Sequence, residues 1–302
     1  MPTVVVTGAA GFLGGYILRE LTARSWRVVG TDRVGSRDLR ILDLPSPELA
    51  SLLDHVRPDV IVHAAGPASV PQSLADPAAD FRESMLPLLN VLDAIRQAGL
   101  ACRVVYLSSA AVYGNPAGLP VSESHPAAPI SPYGYHKWMG EKLIEEYHRV
   151  YGLGGCSVRI FSAYGRGLRR QVLWDAAWKI LRGPVAELIG TGRESRDFVH
   201  ASDVARGVAA IIERGAYEAE VYNLGSGRET SIAELARLLA EALGRQANVT
   251  FSGSARTGDP ARWCADITRL SGLGYDSRVG LREGVADFAG WIREQPESGG
   301  PA

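Results

Sequence analysis

The chain has 302 residues, 46% of them hydrophobic, and its 32 basic and 33 acidic side chains leave a formal net charge of -1 at pH 7. That balance excludes a disordered chain and supplies no basic excess for a polyanion, so nucleic acid is not expected as a partner. No run approaches the roughly 18 apolar residues of a membrane span, the N-terminus lacks a basic start and cleavage site, and the three scattered cysteines suit a reducing compartment.

The expectation is a cytoplasmic protein without membrane contact, in which Cys102, Cys156 and Cys264 are buried fillers rather than metal ligands. Thr3-Val4-Val5-Val6-Thr7 reads as a strand, Gly11 to Arg24 as a helix and Trp26 to Thr31 as a second strand. Ser46-Pro47-Glu48 marks a helix start, with Ser46 as cap, and Asp59 to His63 is a third apolar strand. A long helix runs from about Ala75 to Gly99. Val104 to Leu107 and Val158 to Phe161 are further strands, and Ser131-Pro132 opens another helix. Continuous apolar strands alternating with helices predict an α/β fold, a Rossmann-type doubly wound parallel sheet covered on both faces.

After about Tyr164 the pattern becomes basic and loop-like, then helical, with a strand at Val221 to Leu224 and helices to Arg293. Residues 1–165, rejoined by about 196–227, form the predicted dinucleotide-binding domain. A smaller substrate-binding lobe takes most of residues 166–302, as about 166–195 and 228–302.

Gly8-Ala9-Ala10-Gly11-Phe12-Leu13-Gly14 is a G-x-x-G-x-x-G loop. With 34 glycines in the chain this spacing arises by chance about 0.4 times, so its context has to decide. The loop follows a strand and opens a helix, which turns backbone N–H groups and the helix dipole towards a pyrophosphate. Asp32 ends the next strand, where a carboxylate accepts from an adenosine ribose and repels a 2′-phosphate; this favours NAD, with Arg33 beside it leaving room for NADP. Tyr133 and Lys137 stand four apart on one helix face, so the ammonium can favour the phenolate of a general base. Only three lysines occur in the whole chain, Lys137 among them, which makes that spacing unlikely to be accidental.

Six segments in order resemble the motifs of the extended short-chain dehydrogenase/reductases, within the NAD-dependent epimerase/dehydratase family acting on nucleotide sugars. They are Thr7 to Gly14, Asp43-Leu44, His63-Ala64-Ala65-Gly66, Leu107 to Gly114, Ser131-Pro132-Tyr133 with Lys137, and Arg196 to His200. The resemblance implies that Asp43 and Leu44 contact the adenine and that Ala64, Ala65 and Gly66 line the dinucleotide. It makes Tyr133 the base, Lys137 a holder of the nicotinamide ribose as well, and Ser109 rather than Ser108 the catalytic hydroxyl. Arg196 and Arg256 fall where relatives bind the substrate diphosphate. Ser84 and Ser162 replace asparagines of the family pattern, Pro87 a glycine and Arg166 a proline; Gln171 and Val172 begin a helix expected to meet the nucleotide.

Ala110 and Ala111 occupy positions where 4,6-dehydratases carry an Asp-Glu pair, and Ala111 also lacks the acid of a UDP-glucuronate decarboxylase. The resemblance thus implies 4-epimerisation of a nucleoside diphosphate hexose, with a nucleotide-sugar reductase or dehydrogenase as the alternative and a non-catalytic NAD-binding protein as a remote one. It also implies a homodimer through helices around 75–98 and 133–150, supported by Leu86, Leu89 and Ile95, and places Trp263 where a bulky side chain closes the pocket to a 2-N-acetyl group.

Overall fold

A computed structural model describes residues 1–35, 38–254 and 258–296. The first part of the chain forms β1 (Thr3–Thr7), α1 (Phe12–Ala23), β2 (Arg27–Asp32), β3 (Leu39–Ile41), α2 (Glu48–Val56), β4 (Val60–His63), α3 (Val70–Ala75), α4 (Pro77–Gln97), β5 (Arg103–Ser109), α5 (Pro132–Tyr151) and β6 (Gly155–Ile160). The rest forms β7 (Ser162–Tyr164), α6 (Gln171–Arg182), β8 (Val185–Leu188), β9 (Ser195–His200), α7 (Ala201–Arg214), β10 (Glu218–Leu224), β11 (Glu229–Ser231), α8 (Ile232–Ala242), β12 (Asn248–Phe251), α9 (Thr268–Ser271) and α10 (Leu281–Arg293).

Seven parallel strands lie in the order β10-β6-β5-β4-β1-β2-β3. Every residue of β1, β4 and β6 is buried, as a parallel sheet covered on both faces requires. Alternation divides the core: Val4, Val6, Val60 and Val62 pack with residues of α1 and α7, while Val5, Ile61, Val104 and Tyr106 meet α2, α4 and α5. The strand order reverses between β1 and β4, whose last residues Thr7 and His63 are direct neighbours. In such sheets a crevice opens there, beyond the carboxyl ends of the strands.

A second core joins α6, α8 and α10 through residues such as Leu173, Trp174, Leu235, Leu239 and Phe288. Of the chain that returns from this region, α7 covers the main sheet and β10 extends it. β9 instead pairs with β7 and β11 in a separate three-stranded sheet.

Three local expectations change. The long helix predicted from about Ala75 to Gly99 is α4, Pro77–Gln97, and a separate short helix, α3, precedes it: Asp76 leaves helical geometry between them, and its carboxylate caps α4 by accepting from Ala79 N at 2.8 Å. α2 starts at Glu48 rather than Pro47, although the Ser46 hydroxyl still accepts from Glu48 N at 3.2 Å. Ile95 is buried in the sheet-facing core, so only Leu86 and Leu89 of the three named dimer residues are exposed. The three cysteines are free and buried. No helix among the described residues is long and apolar enough to cross a membrane.

Candidate active site

The glycine loop joins β1 to α1 at the crevice. Gly8 takes φ +69°, and a Cβ there would lie 2.8 Å from the Ala64 carbonyl at the end of β4. A Cβ on Gly14 would lie 2.1 Å from Gly8 O, so the start of α1 can sit on the β1 turn only without side chains. Gly11 caps α1 with no side chain accepting from its first turn, which leaves those N–H groups to an anion. Asp32, at the end of β2, accepts from Ala10 N at 3.0 Å and from Val34 N at 3.2 Å, placing its carboxylate at the rim of the loop. Arg33 beside it is exposed. These features fit a dinucleotide: a side-chain-free cradle for the pyrophosphate and an acceptor at the ribose position.

The other dinucleotide candidates surround this cradle. Phe12 and Leu13 begin α1, and Ala64 N donates to Thr7 O at 3.2 Å while Ala65 N donates to the Thr7 hydroxyl at 3.4 Å. Gly66 has φ +125°, and a Cβ there would come nearest to the Glu83 carbonyl of α4, at 3.5 Å. The Ser84 hydroxyl behind it is buried with no hydrogen-bond partner among the described residues. Asp43 is exposed after β3 and Leu44 is half-buried; Leu42 N ties this segment to Asp32 O at 2.8 Å.

Ser109 ends β5, and Tyr133 and Lys137 stand on the first turns of α5, which Ser131 caps by accepting from Gly134 N at 3.2 Å. Ser109 Oγ accepts from Ala111 N at 3.1 Å. Burial raises the Tyr133 pKa, opposed by a hydrogen bond from the Ser109 side chain and by the charge of Arg170. Lys137 is buried, donates to Leu107 O at 3.0 Å and has its Nζ 5.8 Å from the centre of the Tyr133 ring. Burial lowers its pKa to about 8, with Asp80 and Glu141 resisting. Ser108 points elsewhere: its hydroxyl donates to Glu141 Oε1 at 2.6 Å, and Arg159 engages both oxygens of the same carboxylate at 2.9 and 2.6 Å.

On the substrate side, Ser162 of β7 is half-buried. Arg196 of β9 donates to Ser195 O at 2.8 Å, and its guanidinium lies 5.5 Å from the centre of the Trp263 ring. Trp263 is buried in one cluster with Ala110, Ala111, Phe161 and Tyr133, and its indole N–H donates to Gly114 O at 2.9 Å. The next motif residue, Asp197, is fully buried and accepts from the backbone of Ser226, Gly227 and Ala265 and from the Ser226 hydroxyl. Gln171 is exposed at the start of α6 with φ +66°, a conformation few non-glycine residues take, and Val172 packs partly into the second core. Trp174 is a core residue. Arg256 lies outside the described residues.

Sequence reasoning passed over three residues of this neighbourhood. Arg170 ends a segment that read only as basic and loop-like. Asp80 and His136 are 56 positions apart, and nothing in a linear pattern announces their contact across α4 and α5.

Tyr133 with Lys137 beside the glycine loop has the chemical means to take and return a proton next to a dinucleotide. Residues 4–225 match the family described as NAD dependent epimerase/dehydratase. A UDP-glucose 4-epimerase of Azospirillum brasilense is 32% identical over 332 residues, covering 100% of this chain and 95% of that protein. The structure is similar to that of a UDP-glucose 4-epimerase of Thermus thermophilus in complex with NAD, with a TM-score of 0.88 at 30% identity, covering 96% of this chain and 99% of the other. It is equally similar to MoeE5 in complex with UDP-glucose and NAD, with a TM-score of 0.88 at 33% identity over 97% and 99% of the two chains. This chain belongs to the NAD-dependent epimerase/dehydratase family.

Proposed function

We propose that the protein is an NAD-dependent epimerase that inverts C4 of a hexose carried on a nucleoside diphosphate. The observation that carries this reading is the grouping of Ser109, Tyr133 and Lys137 at the end of β5, with alanines next in line. Ala110 and Ala111 are buried and offer neither acid nor base, so no group is placed there to expel water or direct a decarboxylation. Inversion needs only the shared set.

The glycine loop, Asp32 and the end of β4 would hold NAD, which when bound supplies a reversible hydride acceptor at the sugar carbon. Tyr133 as phenolate takes the proton of the 4-hydroxyl, which Ser109 orients, and returns it once the 4-keto sugar has presented its other face. Lys137 keeps positive charge near the phenolate. Arg196 and Arg256 are read as diphosphate contacts, with Ser162, Gln171 and Val172 lining the nucleotide, and Trp263 as a wall excluding a 2-acetamido group. A homodimer through α4 and α5 is proposed from the exposed Phe81, Leu86, Leu89, Tyr135 and Met139 on those two helices. A cytoplasmic setting is inferred from the three free thiols.

The test incubates the protein with UDP-, GDP-, CDP- and dTDP-hexoses and follows the sugar by proton NMR. Inversion at C4 without net change in NADH is expected, lost about a hundredfold or more in Tyr133→Phe. Stoichiometric NADH formation would make it a dehydrogenase, water loss a dehydratase, and near-normal turnover in Tyr133→Phe would remove the mechanism.

A further inference from the structure

Asp80 on α4 and His136 on α5 are both buried, and the imidazole Nδ1 lies 2.5 Å from Asp80 Oδ2. A carboxylate only accepts, so Nδ1 carries the hydrogen and donates it. The Phe81 ring meets the imidazole edge to face, 5.4 Å between centres. Among the described residues the second carboxylate oxygen is buried without a hydrogen-bond partner, as is the Ser84 hydroxyl one helical turn further along α4. Leaving half a carboxylate unsatisfied in an apolar surrounding is expensive unless a positive charge nearby offsets it.

Lys137 is the residue after His136, and its surroundings are short of negative charge. The titratable groups facing it are Tyr133 and Glu141 from α5, Asp80 from α4, Tyr106 from β5 and His63 from β4; His136 reaches Asp80, Arg159 of β6 reaches Glu141, and Arg170 reaches Tyr133. Tyr106 presents its ring, 5.1 Å from Nζ, and its buried hydroxyl has no hydrogen-bond partner among the described residues. His63 is kept neutral by burial and by Lys137 itself, with its pKa down at about 3. Glu141 is already engaged by both the Arg159 guanidinium and Ser108. Among the described residues this leaves Asp80 as the acid available to balance the ammonium.

We propose that Asp80 is a positioning residue for the epimerisation: anchored by His136, its carboxylate supplies the counter-charge that keeps Lys137 an ammonium beside Tyr133. The inference rests on the reading of Tyr133 and Lys137 as the proton-handling pair. The sign of the effect follows from the charge. A negative group favours the protonated form of both neighbours, and Asp80 raises both Lys137 and Tyr133. Neutralising it therefore lowers both midpoints, and both limbs of the pH–rate bell move to lower pH by about one unit. A lesion that only loosened packing would reduce the height of the bell without moving its limbs.

The chain contains just three lysines, so protein grown on lysine labelled with 13C at Cε gives three resonances, assigned with Lys142→Arg and Lys179→Arg. Titrated with saturating NAD, Lys137 should turn over near pH 8 in the parent. In Asp80→Asn the midpoint should fall by about one pH unit, and in His136→Gln, which keeps a neutral donor on the carboxylate, it should stay in place. If Asp80→Asn does not fold, the double substitution Asp80→Ala with His136→Phe removes the pair as a unit and should show the same fall. A Lys137 midpoint unmoved in a folded charge-neutral variant overturns the proposal. A moved midpoint in a protein that epimerises no sugar would instead fault the proposed activity alone.

Discussion

Two adjacent glycines in α1 should respond to alanine in opposite directions. At Gly14 the new Cβ would lie 2.1 Å from Gly8 O and 2.8 Å from Gly8 C, both backbone atoms of the β1 turn. Carbon and oxygen cannot approach that closely, so helix and turn must part by about 1 Å, and overpacking of this kind costs about 1–3 kcal/mol even where side chains can yield. At Gly15 the Cβ would meet Arg19 Nη1 at 3.5 Å and Ala9 O at 3.6 Å, which are ordinary contacts, and alanine in a helix is favoured over glycine by up to about 1 kcal/mol. Thermal melts should therefore show Gly14→Ala falling by several degrees and Gly15→Ala holding or rising, at about 2 °C per kcal/mol for a chain of this size. NAD titration by calorimetry should separate them further. The distorted loop of Gly14→Ala should weaken binding at least tenfold, a loss of about 1.4 kcal/mol, while Gly15→Ala keeps the parent affinity. A Gly14→Ala protein with unchanged melting and NAD affinity would refute the reasoning that the loop's geometry depends on missing side chains.

Replacing Asp32 by Ala should narrow the preference for NAD over NADP, read as the ratio of dissociation constants; an unchanged ratio would detach the carboxylate from ribose recognition. Arg170→Ala removes a positive charge that favours the Tyr133 phenolate, so the acid limb of the kcat/KM profile should move to higher pH; a limb that stays put would show that this charge is screened. Trp263→Ser should raise activity on 2-acetamido sugars relative to unsubstituted ones tenfold or more, about 1.4 kcal/mol, while lowering the melting temperature because the indole also fills a core and bonds Gly114 O. Unchanged selectivity there would make Trp263 a packing residue only.

What could be read from the residues alone follows a physical division. The main strands were visible because a doubly covered sheet demands continuous apolar runs, and the glycine loop, Ser131-Pro132 and the Tyr133 to Lys137 spacing are local patterns with local causes. β3, β7, β8, β9, β11 and β12 are three to six residues long, lie partly at edges and carry mixed polarity, so no periodicity distinguishes them from loop. The start of α4 was legible to within two residues, because Asp76 is a favoured cap and Pro77 a favoured first helical position, whereas the six-residue α3 before it is too short to show a period. Asp80 with His136, and Arg170 with Tyr133, are tertiary pairs. Their chemistry exists only after α4, α5 and the loop before α6 have been brought together.

Asp197 bears on the proposed selection of the sugar. Its carboxylate gathers donors from Ser226 and Gly227, just after the strand that completes the main sheet, and from Ala265, two residues past Trp263. The stretch bearing the indole is thereby tied to the end of β10, and the Trp263 N–H ties it again at Gly114, just past Ser109. As the proposed wall of the sugar pocket, a side chain fastened at both points would work as a fixed gauge rather than a closing jaw. Sugars of different girth would be sorted by whether they reach Tyr133 at all, and exchanging one side chain in the gauge would reset the range without any hinge having to change.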